Sequence, residues 1–302
     1  MLITRTQART RRESALRSGK PRVSVVVPTL NEAKNLPHVF AKLPADIHEV
    51  ILVDGRSVDD TIEVAQRLRP DIVVVRQTRK GKGNALACGF AAVTGDIVVM
   101  LDADGSADPG EIPAFVDALM SGADFAKGTR FARGGGSTDI TRLRRAGNWG
   151  LNALVNVLYR TRYTDLCYGY NAFWVTCLDI LELAPGEKGS EMLWGDGFEI
   201  ETIINTRVAR AGLAIAEVGS FEHERLHGTS NLNTFKDGAR VLRAISLERR
   251  NRRARERTLV ATPLPLDVPA AVHEPAAEPV RAAESKPAAR VVLDVDTEVI
   301  AS

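Results

Sequence analysis

The stretch that most constrains the fold is residues 95–109, GDIVVMLDADGSADP. Its apolar run at 97–101 is short and bounded by glycines, which is typical of a buried parallel strand. The run ends in Asp102 and Asp104, two carboxylates that can reach one divalent cation and would otherwise repel each other in a half-buried crevice. Ligands of open α/β sheets bind at the carboxyl ends of strands. We therefore favour a metal with its phosphates over a solvated acidic turn.

Similar apolar runs alternate with helical patterns along the first half of the chain. The predicted strands cover 23–28, 49–54, 72–76, 95–104 and 124–129. This alternation predicts the α/β class, with a Rossmann-like, doubly wound and mostly parallel sheet. The second half is predicted to be mainly helical, beginning with an amphipathic helix at 142–160. The apolar stripe of that helix packs in the core or lies at a membrane interface, and both interpretations stay open.

Composition separates one folded unit from two terminal segments. The chain has 302 residues, 44% of them hydrophobic, which is enough for one large α/β domain. We expect a disordered basic arm at 1–21, a folded domain at 22–257 and a disordered Pro/Ala-rich tail at 258–302. We expect no signal peptide and no membrane-spanning helix, because no apolar run approaches the roughly 18–20 residues that cross a bilayer. The three cysteines, without CxxC spacing, predict reduced thiols in a cytosolic protein.

Charge is distributed unevenly although the net charge is only +2. Seven basic side chains lie in residues 1–22, and eight arginines lie in residues 240–257. Such segments suit anionic lipid headgroups or nucleic acid. For the first segment, a merely solubilising role is an equal alternative.

Polar side chains at four strand ends are expected to meet in one crevice. They are Thr29, Asn31 and Glu32 after the first strand, Asp54 at the second, Arg79 and Lys82 before the fourth, and Asp102 and Asp104 after it. An acid can accept nucleobase N–H groups, while lysine and backbone N–H groups suit a diphosphate that a metal bridges to carboxylates. The set predicts a nucleoside diphosphate site. The absence of GxxxxGK[ST] and GxGxxG excludes a Walker loop and a dinucleotide fingerprint.

Four ordered segments, PTLNEAKNL, VDGRSVDDT, RKGKGNALACGF and GDIVVMLDADGSADP, resemble the motifs of family-2 glycosyltransferases with the GT-A fold. The later segments GTRF, RRAGN, DGFEIE and RLHGTSNL are most similar to the polyprenyl-phosphate mannose and glucose synthases. The resemblance, over roughly residues 22–245, implies a nucleotide-sugar half at 22–130. It also implies a helical acceptor half with a C-terminal basic helix at 131–257.

The resemblance also implies a role for individual residues. Pro28, Thr29, Asn31 and Glu32 would line the nucleoside, Asp54 would meet the base, Lys82 would lie beside the diphosphate, Asp102 and Asp104 would hold Mg²⁺ or Mn²⁺, and Arg130, Arg225 and Ser230 would flank the transferring phosphates. Two departures are visible. Gly55 stands where the usual second acid follows the second strand, so the base is not assigned. Gly105 and Ser106 replace a common Leu-Gln pair, so a third metal ligand is not assigned.

The expected reaction is metal-dependent, inverting transfer of mannose or glucose from a GDP- or UDP-hexose to polyprenyl phosphate. Arg144 and Arg145 would hold the acceptor phosphate, which needs no general base because its second pKa is near 6. We expect a cytoplasmic protein, peripheral on the inner face of the cell membrane. An anionic membrane surface is an expected partner, and nucleic acid is not.

Three other functions are weighed against this one. A hydroxyl acceptor would need a base, for which Asp196 is the candidate. A non-catalytic, membrane-associated nucleotide-binding scaffold is disfavoured by the intact Asp102/Asp104 pair. A nucleotidyltransferase would be expected to carry a glycine-rich loop where PTLNEA stands.

Overall fold

The computed structural model describes residues 5–228 and 234–261. Its centre is a seven-stranded sheet of order β3-β2-β1-β4-β7-β5-β8, beside a two-stranded sheet of β6 and β9. The strands are β1 (Val23–Thr29), β2 (Glu49–Asp54), β3 (Val73–Arg76), β4 (Ile97–Met100), β5 (Phe125–Thr129), β6 (Gly136–Ser137), β7 (Asn171–Trp174), β8 (Ile215–Gly219) and β9 (Phe221–Glu222). The helices are α1 (Arg5–Ser18), α2 (Leu36–Phe40), α3 (Thr61–Leu68), α4 (Lys82–Ala92), α5 (Ile112–Met120), α6 (Arg142–Tyr159), α7 (Leu178–Leu181), α8 (Ile200–Arg210) and α9 (Thr234–Ala261).

The sheet is mostly parallel, and its central strands are buried on both faces. Strands β3, β2, β1 and β4 run parallel, β7 is antiparallel between β4 and β5, and β8 is parallel to β5. Every residue of β2 and β4 is buried, as expected for continuous apolar strands covered on two sides. The predicted doubly wound α/β sheet is confirmed.

The order of the strands places a crevice between β1 and β4. From β1 the chain winds outward through β2 to β3, and then returns to place β4 on the other side of β1. At such a reversal the loops that leave the two strands diverge and open a ligand crevice at their carboxyl ends. Leu101 donates its N–H to Val26 O at 3.1 Å, which fixes the start of the Asp102–Asp104 turn beside β1.

Helices α6, α8 and α9 close the other side of the crevice around a small second core, which includes Val155, Tyr163, Val241 and Ile245. Glu248 of α9 is buried and ion-paired with two arginines of α8. None of the helices in the described part of the chain is long and apolar enough to cross a membrane. The predicted division of the domain at residue 130 stays a prediction.

The basic arm predicted to be disordered over 1–21 is corrected for residues 5–18, which form α1. The helix is fixed on the sheet mainly by arginines. Arg11 donates to Thr94 O at 2.9 Å, and Arg12 pairs with Asp124 at 2.6 Å and lies over the ring of Trp174. Because these contacts are polar, the sequence shows no apolar periodicity there. The predicted disordered tail lies outside the described residues from residue 262 on, while Thr258 to Ala261 still belong to α9.

Candidate active site

A cleft of about 1200 Å³ lies at the carboxyl ends of the strands, between the sheet and helices α6, α8 and α9. Nine of the residues that the sequence predicts for the site line it: Pro28, Thr29, Glu32, Lys82, Asp102, Asp104, Arg130, Arg144 and Arg225. The structure therefore brings together most of the predicted nucleotide, metal and phosphate residues.

Five predicted site residues do not line the cleft. Asn31 and Asp54 instead hold the turn after β2, since Asn31 Oδ1 accepts from Val58 N at 2.8 Å and Asp54 accepts from the N–H groups of Arg56 and Ser57. The turn presents Gly55 and Arg56 to the cleft in their place. Arg145 is exposed on α6 and lies over the ring of Phe131.

The other two are Asp196 and Arg79, which form a largely buried, two-pronged ion pair with each other. The two carboxylate oxygens of Asp196 accept from Arg79 at 2.8 and 2.9 Å, and one of them also accepts from Leu193 N. The contact joins the RKGKG loop to the loop before α8. Gly81 is required there, because its φ is +109° and a Cβ would lie 2.1 Å from the Asp196 carbonyl oxygen. Ser230 lies outside the described residues.

Lys82, at the start of α4, is shared by two carboxylates at the floor of the cleft. Its Nζ lies 2.7 Å from Asp102 Oδ1 and 2.7 Å from Glu201 Oε1. Burial lowers the pKa of Lys82, but the two carboxylates raise it by more, so its pKa is raised overall and the ammonium stays charged. Burial in turn raises the pKa of Glu201, against the opposing effect of Lys82.

Gly169 is what allows this group to assemble. A Cβ at this position would lie 3.0 Å from Lys82 Nζ and 3.2 Å from Glu201 Oε1. A side chain would therefore push against the ion pairs, and glycine leaves the floor of the cleft open to a ligand.

Arg225 makes the same kind of contact at the other aspartate. Its guanidinium lies 2.9 Å from Asp104 Oδ2 and 3.1 Å from Glu32 Oε1. The loop that carries Arg225 is held on the Asp102–Ser106 turn by His223 N, which donates to Ser106 O at 2.8 Å. Burial raises the pKa of Glu32, while Asn35 and Arg225 lower it.

Arg130 follows the same pattern on the acceptor side. Its guanidinium pairs with Asp165 at 2.7 Å and with Glu222 at 3.0 Å, and it lies over the ring of Tyr168. Arg144 lines the cleft nearby and pairs with Asp139 at 3.1 Å.

The carboxylates of the cleft fit a divalent cation. Around Asp102 and Asp104, two cations, Lys82 and Arg225, are paired with four carboxylates, so negative charge is in excess there. Carboxylate oxygens are ligands that Mg²⁺ and Mn²⁺ prefer. No group of three or more His, Cys, Asp or Glu side chains within residues 5–228 and 234–261 is arranged to hold a metal. Further ligands would thus come from water and from donor phosphates.

The sequence missed several residues that shape the cleft. Glu201 lies in the DGFEIE segment, and its sequence position indicated only a helix N-terminus. Asp165 and Glu222, which hold Arg130, and Tyr168 carried no motif signal. One sequence pattern could have pointed to this side of the cleft: Asn148, Asn152 and Asn156 recur every four residues along α6.

Comparison with known proteins bears on this site. The model of glycosyl transferase family 2 matches residues 24–181. An uncharacterised glycosyltransferase of Mycobacterium tuberculosis is 44% identical over 108 residues, a match that spans 36% of this chain and 48% of that relative. Undecaprenyl-phosphate mannosyltransferase of Micrococcus luteus is 30% identical over 221 residues, which span 70% of this chain and 88% of the relative. This chain thus matches about half the length of the first relative.

Solved structures share the fold. Glucosyl-3-phosphoglycerate synthase of Mycobacterium tuberculosis, crystallised with Mn²⁺, UDP and glucosyl-3-phosphoglycerate, superposes with a TM-score of 0.56 at 22% identity, covering 82% of this chain and 84% of that one.

These matches define the class of protein: the chain belongs to glycosyl transferase family 2. The resemblance to that family and to polyprenyl-phosphate sugar synthases is confirmed, as is the GT-A-type fold.

Proposed function

We propose that the protein transfers a hexose from a nucleotide sugar to a polyprenyl phosphate at a cytosolic membrane surface. One observation carries the proposal: the two carboxylates that follow β4 meet Lys82 and Arg225 in a single cleft. A carboxylate pair with cations beside it suits a metal-bound diphosphate. The relative named undecaprenyl-phosphate mannosyltransferase, and the structural neighbour solved with Mn²⁺ and UDP, support the proposal.

The donor would lie between β1 and β4, with its nucleoside on Pro28 and Thr29 and its diphosphate near Lys82 and Arg225. Mg²⁺ or Mn²⁺ held by Asp102 and Asp104 would neutralise diphosphate charge. As the bond from the anomeric carbon to the diphosphate oxygen breaks, the diphosphate leaves with the electron pair. Lys82 and Arg225 stabilise the negative charge that develops there, which is the role of preorganised cations in group transfer.

The acceptor would enter on the side of α6. Its phosphate oxygen attacks the anomeric carbon in line with the departing diphosphate and inverts the configuration. A phosphate monoester is largely ionised at neutral pH, so the attack needs no base. This fits the cleft, because Asp196 does not line it and its carboxylate is already bound by Arg79. The catalytic role predicted for Asp196 stays a prediction, and its geometry argues against it.

The acceptor end of the site is tested by replacing Arg144 with glutamine. Because Arg144 lines the cleft, we expect the KM for polyprenyl phosphate to rise about tenfold, as on the loss of a charge-assisted phosphate contact, with the donor KM unchanged. Arg145→Gln on the same helix is the matched control when a water-soluble, short-chain prenyl phosphate is the acceptor. It should then change neither constant, since Arg145 lies outside the cleft.

Asp196→Asn distinguishes the phosphate acceptor from the hydroxyl acceptor. With a phosphate acceptor the variant keeps most of its turnover. A kcat about 10²–10⁴-fold lower, together with an unchanged acceptor KM in Arg144→Gln, would show that a hydroxyl acceptor needs Asp196 as its base.

A further inference from the structure

The side of helix α6 that faces the protein carries three asparagines beside its buried apolar side chains Val155 and Tyr159. The side chains of Asn148, Asn152 and Asn156 bond residues 163–167, mostly through the backbone and in one case through the Asp165 carboxylate. Asn152 donates to Thr164 O and accepts from Leu166 N, and Asn156 donates to Tyr163 O and accepts from Tyr163 N. Side-chain amides thus anchor the helix together with the apolar side chains that an amphipathic helix normally buries.

The opposite side, which we call the outer face of α6, is apolar and exposed. Its large side chains are Leu143, Trp149, Leu154 and Val157, exposed by 58%, 73%, 37% and 79%. The exposed positions between them are alanine and glycine apart from Arg145. Scattered apolar side chains are normal on a protein surface, but a continuous face of this kind marks an interaction site.

The charges beside the outer face are mostly positive, with Asp139 paired to Arg144 just before the helix. Residues 140–164 contain five arginines and no acidic residue. Arg142 and Arg145 are exposed at the start of the helix, and Arg160 and Arg162 are exposed just after its end. An apolar face with tryptophan and flanking arginines is the pattern of a helix that lies in the headgroup region of an anionic membrane.

The outer face also adjoins the cleft. Leu143 and Gly147 are exposed and line the cleft at the same time. A membrane that contacted the outer face would therefore lie next to the acceptor side of the site, where Arg144 is found.

We propose that the outer face of α6, with its four flanking arginines, is the surface by which this protein docks on an anionic lipid bilayer. A second copy of the chain fits this face less well. In a two-fold symmetric contact the arginines of both copies would approach each other, and Asp139, the acidic residue next to this segment, already pairs with Arg144. The docking itself does not require the transferase activity, whereas the delivery of a lipid acceptor to the cleft rests on the proposed function.

Binding to vesicles of phosphatidylglycerol and phosphatidylcholine in equal parts, measured by co-sedimentation without donor or acceptor, tests the proposal. Trp149→Ser/Val157→Ser should weaken binding by about tenfold or more, because two exposed side chains no longer leave water on docking. Leu68→Ser, at the far end of α3, removes an equally apolar exposed side chain and should leave binding unchanged. Arg160→Gln/Arg162→Gln should weaken binding to these vesicles but not to pure phosphatidylcholine.

Fluorescence locates the contact directly. Trp149 emission should shift to the blue when vesicles are added. The Trp149→Phe variant should still bind but lose most of that shift, since it keeps the apolar face without the reporter.

Two outcomes overturn the proposal. One is vesicle binding that is equal in the wild type and in Trp149→Ser/Val157→Ser. The other is a dimer in solution, seen by light scattering, that this variant separates into monomers, because a second copy would then cover the face. Failure of the proposed function is distinct: no prenyl phosphate of any chain length would be glycosylated, while vesicle binding stayed intact.

Discussion

Lys82, Arg225 and Arg130 are each held between two carboxylates, and this arrangement limits what each can do before a ligand arrives. A diphosphate must compete for Lys82 and Arg225 with Asp102 and Asp104. A divalent cation that occupies the two aspartates would release both basic side chains towards the phosphates. Binding of the metal and of the nucleotide is therefore expected to be mutually dependent.

The first prediction concerns Asp104. In the wild type, Mn²⁺ and a nucleotide sugar together should raise the melting temperature more than the sum of their separate effects, since both bind only the native state. Asp104→Ala should lose this joint effect and all transfer, while it still folds because Arg225 keeps Glu32 as a partner. Full turnover of the wild type in excess EDTA would refute the metal requirement.

Lys127 is a buried lysine of β5 whose Nζ donates to Gly128 O and Tyr168 O. Burial lowers its pKa from 10.5 to about 8, an effect that Asp165 opposes. Between these two values the unfolded chain holds a proton that the folded protein has lost. Stability contributed by this group should therefore rise as the pH rises through that window.

The measurement compares unfolding free energies of the wild type and Lys127→Met at about pH 7 and about pH 10. The difference should move in favour of the wild type by up to about 3 kcal/mol. Titrations common to both proteins cancel. A difference that does not depend on pH would show that Lys127 titrates normally.

Helix α9 is held on α8 by the buried Glu248. Its carboxylate oxygens lie 2.8 Å from the guanidinium of Arg207 and 3.0 Å from that of Arg210. Glu248→Ala leaves two largely buried guanidinium groups without their carboxylate. We expect a loss of about 3 kcal/mol of unfolding free energy, the scale for breaking a buried ion pair.

Asp71→Ala is the control for this change, because Asp71 pairs with Arg69 at the surface. Its loss should stay below about 1 kcal/mol. If both variants lost the same small amount in chemical denaturation, Glu248 would not be what fixes α9.

Some of these elements could be predicted from the sequence and others could not. The strands of the parallel half were predictable because apolar runs buried on both faces need no knowledge of the rest of the chain. Asp102 and Asp104 were predictable because their position at the end of such a strand fixes their neighbourhood. The Lys82–Glu201 pair was not, since it depends on how α8 docks against α4.

Helices α1 and α6 show a second reason why the sequence could not predict how every element packs. Arginines hold α1, and asparagines hold α6 beside its buried Val155 and Tyr159, so hydrophobic periodicity gives no signal for α1 and an ambiguous one for α6. The stripe on α6 was visible in the sequence, but whether it faced the core or the outside depended on hydrogen bonds to residues 163–167, which no periodicity reveals.

At the scale of the whole molecule, both halves of the chain contribute to the proposed site. The first half supplies Asp102, Asp104 and Lys82 at the strand ends, while the second half supplies Arg225 beside the proposed diphosphate and Arg144 on the acceptor side. A nucleotide sugar and a phosphate acceptor can therefore approach the same point from opposite sides of the cleft.

The most direct test of the account is mass spectrometry of the lipid product. Purified protein would be incubated with Mn²⁺, polyprenyl phosphate in vesicles, and GDP-mannose or UDP-glucose in turn. The account predicts a polyprenyl phosphate heavier by one hexose from at least one donor, and none from Asp104→Ala. Hexose transfer only to a sugar or other hydroxyl compound, with the lipid phosphate unchanged, would contradict it.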